Sequence, residues 1–323
     1  MTASKMPALS FDRYGPPSVL SLIKRDVPVP KPGEVLIQVK AASINPSDIR
    51  IVEGVFQSPL PRIPGRDYAG IVVAGDARAG QEVWGSGPRF GIDHDGAYAE
   101  YVVIPADWVS EKPSHLSMEQ AASVGVPFIT AWSALVTEGK IQEGETILII
   151  GAAGAVGRAA TQIAHMKGAR VIPAIRAPEG SGRPVPAGTI DTLTHDIPTA
   201  VRDLTAGKGV ELVLDCVGGP LFEPALTSLR LGGRHMVIVS KPVRRVTFNL
   251  TDFYHNRSRL IGVDSLGLNG PEIASIMDQL RPGFEAGALR PFEVTTWALE
   301  RGAEAYAAAD RDGAAAKHVL LPS

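Results

Sequence analysis

One stretch of the sequence decides the fold, TILIIGAAGAVG at residues 146–157. A run of β-branched and apolar residues predicts a buried strand that leads directly into a glycine turn, and the turn opens a helix. Gly151 permits the tight turn, Gly154 lets the backbone approach a pyrophosphate, and Gly157 allows the helix to pack closely on the strand. The spacing is G-x-x-G-x-x-G rather than G-x-G-x-x-G, so the strand–turn–helix context carries the prediction of a dinucleotide site. The residues assigned to this site are Gly151, Gly154, Ala155, Val156 and Gly157.

Beyond this turn, strand and helix patterns alternate, which predicts parallel βαβ units in a doubly wound sheet. The predicted strands are 146–150, 170–175, 210–215, 234–240 and 260–264. The predicted helices are 155–167, 199–205 and 221–230, followed in the tail by 271–280, 299–309 and a last strand at 317–321. The fold class expected for this part of the chain is therefore α/β.

The chain before Ser117 has a different pattern, in which short strands alternate with Gly- and Pro-rich turns. Apolar runs at 35–40, 69–74, 81–84 and 97–104 predict the strands of a barrel or a sandwich. Ser117 then offers a helix N-cap, which marks the change of pattern. The sequence thus predicts a β-rich part followed by an α/β part.

The end of the predicted strand 170–175 indicates which dinucleotide binds. An NAD site needs a carboxylate there for the ribose 2′-hydroxyl, whereas an NADP site needs a cation for the 2′-phosphate. Arg176 follows the strand, and no acid occurs before Glu179. We therefore expect NADPH, with Arg176 at the 2′-phosphate and the contribution of Arg183 left open. Three prolines oppose a helix over residues 177–188, so this connection is expected to be open.

Composition excludes several classes of function. The chain has 323 residues, a formal charge of −2 and a single cysteine, Cys216. A near-neutral charge gives no electrostatic footprint for nucleic acid or for an anionic membrane. One thiol allows neither an internal disulfide nor a cysteine-rich zinc cluster. The most apolar stretch, 121–136, is too short to span a bilayer, so we expect a globular cytoplasmic protein.

Five segments, taken in order, resemble the medium-chain dehydrogenase/reductases, and specifically their zinc-lacking NADPH:quinone oxidoreductase branch. They are AASINPSD at 41–48, IPGRDYAG at 63–70, FITAW at 128–132, DCVGG at 215–219 and KHVL at 317–320. The resemblance implies a GroES-like β-barrel catalytic domain at 1–122, a Rossmann domain at 123–264 and a return to the catalytic domain at 265–323. It also implies a homodimer that pairs edge strands around residues 260–264. With the resemblance, four more residues are assigned to the cofactor: Thr130, Val217, Val239 and Ser240.

Two positions bear on metal binding. Zinc-containing relatives carry a cysteine where this chain has Asn45, and Gly-His-Glu where it has Gly65-Arg66-Asp67. Catalytic zinc takes about three protein ligands from Cys, His and carboxylate groups, and the soft ligands are missing at both positions. The sequence therefore predicts that no metal is bound.

The resemblance also suggests catalytic residues. Reduction of a quinone or a conjugated enone sends hydride to an electrophilic atom and negative charge to a distant oxygen, which hydrogen-bond donors stabilise. We assign Asn45 to donate to that oxygen or to orient the nicotinamide, Asp48 to fix the loop, and Arg50 to stabilise an enolate. Two residues depart from the family pattern: Arg50 stands where many quinone reductases have a tyrosine, and Phe56 stands near the proton-donating tyrosine of enoyl-thioester reductases.

Together these residues predict a zinc-independent, NADPH-dependent reductase of quinones or small α,β-unsaturated carbonyl compounds. The sequence alone leaves two alternatives open. One is a stand-alone enoyl reductase of lipid or polyketide metabolism, and the other is a non-catalytic NADPH-binding redox sensor. The expected partners are a small-molecule acceptor and a second copy of the chain, with no nucleic acid and no membrane.

Overall fold

The computed structural model describes residues 4–75, 78–177, 185–240, 243–313 and 316–322. The chain packs as two compact units. Unit 1 comprises Met1–Ile129 and Leu266–Ser323, and unit 2 comprises Thr130–Ser265. These limits differ from the expected domain limits at 122/123 and 264/265. The first difference arises because the backbone N–H of Val126 donates to the Asp67 carboxylate at 3.0 Å, which ties this part of the chain to unit 1.

Strands predominate in the first part of the chain, and helices alternate with strands in the middle. In chain order, the strands of the described residues are β1 (Lys5–Ser10), β2 (Ser21–Asp26), β3 (Glu34–Ser43), β4 (Asp67–Ala74), β5 (Glu82–Ser86), β6 (Tyr101–Pro105), β7 (Ser110–Glu111), β8 (Thr146–Ile150), β9 (Arg170–Ile175), β10 (Ile190–Asp191), β11 (Val210–Asp215), β12 (Leu229–Val237), β13 (Arg259–Gly262), β14 (Val294–Ala298) and β15 (Lys317–Leu321). The helices are α1 (Pro46–Val52), α2 (Met118–Ala122), α3 (Gly125–Trp132), α4 (Ala155–Met166), α5 (Ile197–Leu204), α6 (Phe222–Thr227), α7 (Leu250–His255), α8 (Gly270–Glu285) and α9 (Gly302–Asp312).

Unit 1 is built on a seven-stranded sheet, in the order β14-β15-β3-β4-β5-β7, with β6 also pairing β3. The pairs are antiparallel except β14 with β15. In β3, alternate residues Val35, Ile37 and Val39 are fully buried, because successive side chains of a strand point to opposite faces and one face meets the core. The strand-rich first part expected from the sequence is thereby confirmed.

Unit 2 is built on a six-stranded parallel sheet in the order β10-β9-β8-β11-β12-β13. Counted from β8, this is the order 3-2-1-4-5-6 of a dinucleotide-binding sheet. In the central strand β8, residues 147–150 are fully buried, as expected for a parallel strand covered on both faces. The predicted doubly wound α/β sheet is confirmed.

Most element bounds in unit 2 agree with the prediction, and β8, β9 and β11 agree residue for residue. The end of the sheet differs. The predicted helix at 221–230 ends at Thr227, because β12 begins at Leu229 and runs through Gly232-Gly233, a pair whose local pattern is that of a helix end. Because β12 ends at Val237, the assigned residues Val239 and Ser240 follow the strand instead of belonging to it.

The connection between β9 and β10 contains no helix among its described residues, which are 176–177 and 185–189. Arg183 and the rest of 178–184 lie outside the described residues, so the expected open connection stays a prediction for them. Across the described ranges, none of the helices has the length and apolar character needed to cross a bilayer.

Candidate active site

The predicted glycine turn lies at the carboxyl end of β8 in unit 2. Gly151 has a φ angle of +79°, which favours glycine, and Gly154 is the N-cap residue of α4. A Cβ atom on Gly157 would stand 2.3 Å from the Gly151 carbonyl oxygen, so this close packing requires glycine. The first N–H groups of α4, at residues 155–157, have no acceptor within the helix. The turn therefore offers backbone donors and the positive end of a helix, which fit a diphosphate.

The structure brings Val217, Val239 and Ser240 to the same edge of the sheet. A Cβ atom on Gly151 would lie 3.1 Å from Cγ2 of Val217. A Cβ atom on Gly218 would lie 2.6 Å from the Val239 carbonyl oxygen and 2.7 Å from Cα of Ser240. These close approaches place the turns after β11 and β12 beside the glycine turn.

Asp215, which the sequence analysis did not assign, fixes the turn after β11. Its fully buried carboxylate accepts hydrogen bonds from the backbone N–H groups of Val217, at 2.9 Å, and Gly218, at 2.7 Å. Nε2 of the buried His235 lies 3.5 Å from the other carboxylate oxygen. The sequence has an acid at the end of a predicted strand, two residues before a turn, and this pattern could have identified Asp215.

Thr130 and Arg176 occupy separate positions in unit 2. The Thr130 hydroxyl is 2.8 Å from the Ser265 hydroxyl, a partner that was not predicted from the sequence.

Arg176 is exposed directly after β9. Asp191, at the end of the neighbouring strand β10, accepts hydrogen bonds from the backbone N–H groups of Leu193 and Ala177, which lower the pKa of its carboxyl group. The Asp191 carboxylate, which lies beside the end of β9, therefore already accepts hydrogen bonds from backbone amides of this chain.

A buried polar cluster forms in unit 1 because three strands meet in a fixed register. Ser43, at the end of β3, pairs with Asp67 of β4 on one side and with Val319 of β15 on the other. Continued by two residues, the antiparallel register with β15 places Lys317 beside Asn45. The residues of the cluster are at most 5% exposed: Ser43, Asn45, Asp48, Arg66, Asp67 and Lys317.

Asn45 is the centre of this polar cluster. Its Nδ2 donates to the Asp67 carboxylate at 2.8 Å, and its Oδ1 accepts from the Lys317 ammonium group at 2.5 Å. Asp67 also accepts from the Ser43 hydroxyl at 3.2 Å and from the Val126 N–H at 3.0 Å. Opposite charges therefore hold the two ends of the Asn45 amide, which fixes its orientation.

Asp48 accepts hydrogen bonds from the backbone of the loop that carries Asn45. Its carboxylate accepts from the backbone N–H groups of Asn45, at 2.8 Å, and Arg66, at 3.1 Å. The Tyr98 hydroxyl donates to the Ser43 carbonyl oxygen at 2.9 Å and lies 3.4 Å from the Asp48 carboxylate. Burial, helped by the nearby charge of Asp67, raises the pKa of Asp48 to about 6, although Arg66 and the hydrogen bond from Asn45 act in the opposite direction.

The structure does not bring Arg50 into the polar cluster. Arg50 lies on α1, where its guanidinium group pairs with the Glu53 carboxylate at 2.5 Å and its side chain is 41% exposed. This pairing three residues along a helix explains its position without any ligand. The assignment of Arg50 to enolate stabilisation stays a prediction.

The polar cluster does not fit a zinc ion. The two positions at which the resemblance predicts zinc ligands in metal-containing relatives hold the Asn45 amide and the Arg66 guanidinium group. The Asn45 oxygen already accepts from an ammonium group at 2.5 Å, and a cation cannot be a metal ligand. Within the described ranges, no group of three or more His, Cys, Asp or Glu side chains could hold a metal ion.

Asp67 and Lys317 were not predicted from the sequence as partners of Asn45. Both lie in quoted segments, IPGRDYAG and KHVL, but no local pattern connects either with Asn45. Lys317 and Asn45 are 272 positions apart in the chain. Only the register of β3, β4 and β15 brings the three side chains together, and a single sequence does not specify that register.

Comparison with known proteins agrees with this fold. Residues 31–114 match the family described as alcohol dehydrogenase GroES-like domain, and residues 155–279 match the family described as zinc-binding dehydrogenase. A zinc-type alcohol dehydrogenase-like protein of Schizosaccharomyces pombe is 37% identical over 87% of this chain and 86% of that protein. The quinone oxidoreductase of Homo sapiens is 30% identical over 98% of each chain. The solved structure of a Pseudomonas syringae quinone oxidoreductase has a TM-score of 0.81 and 26% identity, covering 98% of this chain and 100% of that one.

A β-rich GroES-like part and a Rossmann-type parallel sheet with a glycine turn define an oxidoreductase class. The chain belongs to the medium-chain dehydrogenase/reductase superfamily, in its quinone oxidoreductase branch. The expected fold class is confirmed by these matches.

Proposed function

We propose that the protein is a zinc-independent, NADPH-dependent reductase that transfers hydride to quinones or small α,β-unsaturated carbonyl compounds. The observation that carries this proposal is the buried Asn45 amide, held between the Asp67 carboxylate and the Lys317 ammonium group. An amide held in this way can donate a hydrogen bond to an acceptor oxygen, whereas its own oxygen is engaged by an ammonium group and is not offered to a Lewis-acid metal. Similarity to a quinone oxidoreductase over 98% of the chain supports this acceptor class.

In this proposal unit 2 binds NADPH. The N–H groups at residues 155–157 hold the diphosphate, and Arg176 holds the 2′-phosphate through its planar donors. The engagement of Asp191 by amides of its own chain supports NADPH over NADH, because among the described residues this carboxylate beside the strand end already accepts hydrogen bonds from Ala177 and Leu193. The bound nicotinamide supplies the hydride.

Asn45 acts on the acceptor. Its Nδ2 group has two N–H bonds, and one is used by Asp67. The second donates to the acceptor oxygen, which becomes negatively charged when hydride is added. A donor fixed in a buried site stabilises that charge without reorganisation. A proton from water completes the product, since Phe56 has no proton to give.

We further propose that the protein is a cytoplasmic homodimer. β13 is an edge strand of the parallel sheet, and its Leu260 side chain is 43% exposed. An exposed edge offers unpaired N–H and C=O groups to a second copy. Sedimentation of the wild type and of Leu260→Lys tests this: we expect a dimer that the lysine weakens, and a wild-type monomer at micromolar concentration would contradict it.

The reaction is tested by following NADPH oxidation with quinones, alkenals and enoyl thioesters, each repeated with NADH. We expect turnover with quinones or alkenals and a preference for NADPH. Turnover with enoyl thioesters alone would replace the proposal by an enoyl reductase. Tight NADPH binding without turnover on any acceptor would replace it by a redox sensor. Turnover that a chelator abolishes and zinc restores would overturn the metal-free mechanism.

A further inference from the structure

Lys317 is a buried cation beside the Asn45 amide. It begins β15 and is only 5% exposed. Its ammonium group donates to Oδ1 of Asn45 at 2.5 Å and approaches the Ile44 carbonyl oxygen at 3.5 Å. A buried ammonium group is destabilising unless it is paired and hydrogen-bonded. Its retention beside Asn45 therefore calls for an explanation.

The contacts of Lys317 and Asp67 determine which way the Asn45 amide points. With Oδ1 facing the ammonium group and Nδ2 facing the carboxylate, both contacts are attractive. In the flipped amide, NH₂ would face an ammonium group and the carbonyl oxygen would face a carboxylate, so both contacts would be repulsive. The ammonium group also polarises the amide, which strengthens the N–H groups as donors.

We propose that Lys317 is a positioning residue for the reduction: it fixes and polarises the Asn45 amide so that the second N–H of Nδ2 meets the acceptor oxygen. This inference rests on the proposed function, because the acceptor oxygen is that of a quinone or an enone. Lys317 does not touch the acceptor itself. It acts through Asn45, so its effect disappears when the Asn45 amide is absent.

The chain offers a matched control in Lys112. This lysine also belongs to unit 1, is 5% exposed, and donates to the carbonyl oxygens of Pro113 and Leu116 at 3.0 and 2.5 Å. It pairs with Glu82 at 3.0 Å and has no contact with Asn45 among those of the described residues. Lys112→Met therefore removes a buried lysine of the same kind without disturbing the amide.

The test compares Lys317→Met, Lys317→Arg and Lys112→Met. We expect Lys317→Met to lower kcat for a quinone by about a hundredfold, the size of effect produced by a small misplacement of a catalytic group. Lys317→Arg should lower it by about tenfold, since the charge remains but its position changes. Lys112→Met should leave kcat within about twofold. The Kd for NADPH, measured by fluorescence titration, should be unchanged in all three.

A double-mutant cycle with Asn45→Ala separates positioning from independent action. If Lys317 acts through the amide, the double variant should be as slow as Asn45→Ala alone. Losses that multiply, to about ten-thousandfold if each single variant loses about a hundredfold, would overturn the proposal. Loss of kcat in Lys112→Met equal to that in Lys317→Met would also overturn it, since it would show a general effect of a buried lysine.

A binding readout keeps this inference apart from the proposed function. The absorption spectrum of 4-nitrophenol reports its ionisation, and its phenolate oxygen resembles the charged acceptor oxygen. We expect wild type to lower the pKa of bound 4-nitrophenol and Lys317→Met to lose this shift while Lys112→Met keeps it.

This pKa shift of 4-nitrophenol without turnover on any acceptor would overturn the proposed function alone. Turnover of quinones with equal shifts in both methionine variants would overturn the inference alone. Should Lys317→Met fail to fold, an unchanged shift and an unchanged kcat in Lys317→Arg would overturn the inference.

Discussion

The glycine turn of unit 2 and the polar cluster of unit 1 are built in different ways. The turn consists of nearly consecutive residues, and its backbone atoms form the binding surface: Gly157 packs against the Gly151 carbonyl group. The cluster consists of side chains from distant parts of the chain, such as Asn45 and Lys317, which are 272 positions apart. We therefore expect substitutions that add side-chain volume to disturb the glycine turn, and substitutions that change side-chain charge to disturb the polar cluster.

The largest effect is expected for charge removal in the polar cluster. Asp67→Ala leaves the buried Arg66 and Lys317 with one carboxylate fewer and removes the acceptor of the Asn45 amide. Removal of one partner from a buried ionic arrangement destabilises by about 3–5 kcal/mol. We therefore expect the free energy of unfolding, measured with urea, to fall by about 4 kcal/mol, and quinone reduction to be lost.

Asp93→Ala is the control for this change. The Asp93 carboxylate pairs with Arg89 at the surface, and its side chain is 48% exposed. Exposed pairs contribute about 0–1 kcal/mol, so this variant should unfold close to wild type. Equal destabilisation by the two alanine substitutions would contradict the view that the cluster depends on its buried charges.

The same difference explains what a single sequence can predict. The glycine turn, β8 and α4 could be predicted because strand, turn and helix signals follow one another along the chain. Asn45 and Asp48 could be proposed as site residues through their signature, but their partners Asp67 and Lys317 could not. Strand register, which has no local signal, brings those partners in. The early start of β12 was missed for a related reason: Gly232-Gly233 has the local pattern of a helix end, and pairing with β11 overrides it.

The next effect concerns added volume in the glycine turn. A Cβ atom on Gly157 would lie 2.3 Å from the Gly151 carbonyl oxygen and 2.7 Å from Cα of Ala152, both of which are backbone atoms. Gly157→Ala should therefore separate helix and strand, lower the free energy of unfolding by about 3 kcal/mol and abolish NADPH binding in a fluorescence titration.

Gly154→Ala is the matched variant. Among the residues that the structure describes, a Cβ atom on Gly154 would meet only the Gly151 carbonyl oxygen, at 3.2 Å, and the φ angle of −72° suits alanine. This variant should keep wild-type stability but bind NADPH about tenfold more weakly, a loss of about 1.4 kcal/mol, because the methyl group stands where the diphosphate approaches. Unchanged NADPH affinity in Gly154→Ala would show that the diphosphate does not lie on this turn.

A smaller change in the free energy of unfolding is expected when the pH changes, and it arises from Asp48 in the polar cluster. Burial raises the pKa of Asp48 to about 6 from the value of 3.8. Since the folded protein then holds the proton more tightly than the unfolded chain does, the contribution of Asp48 to the free energy of unfolding falls as pH rises through this interval. Its contribution should be about 2 kcal/mol lower at about pH 7 than at about pH 4.5.

Asp48→Asn isolates this contribution, because other groups titrate in both proteins. Urea unfolding of wild type and variant at both pH values gives the difference between them. We expect that difference to move by about 2 kcal/mol in favour of wild type at the lower pH. A difference independent of pH would contradict the raised pKa. No such dependence is expected for the glycine turn, whose contacts are made by backbone groups.

The smallest effect concerns Arg176, which is exposed directly after β9. Here a charged side chain, rather than the backbone, is expected to select the cofactor. Arg176→Glu places a carboxylate where the 2′-phosphate of NADPH is proposed to bind, so repulsion replaces a charge-assisted hydrogen bond. A loss of about 1.4 kcal/mol in NADPH binding corresponds to a tenfold change. Arg170→Glu makes the same change of charge at the opposite end of β9 and should leave the ratio of NADPH to NADH affinity near wild type. Equal ratios in the two glutamate variants would mean that a different group binds the 2′-phosphate. A reversal of preference in Arg176→Glu alone would show that the charge at residue 176 selects the cofactor.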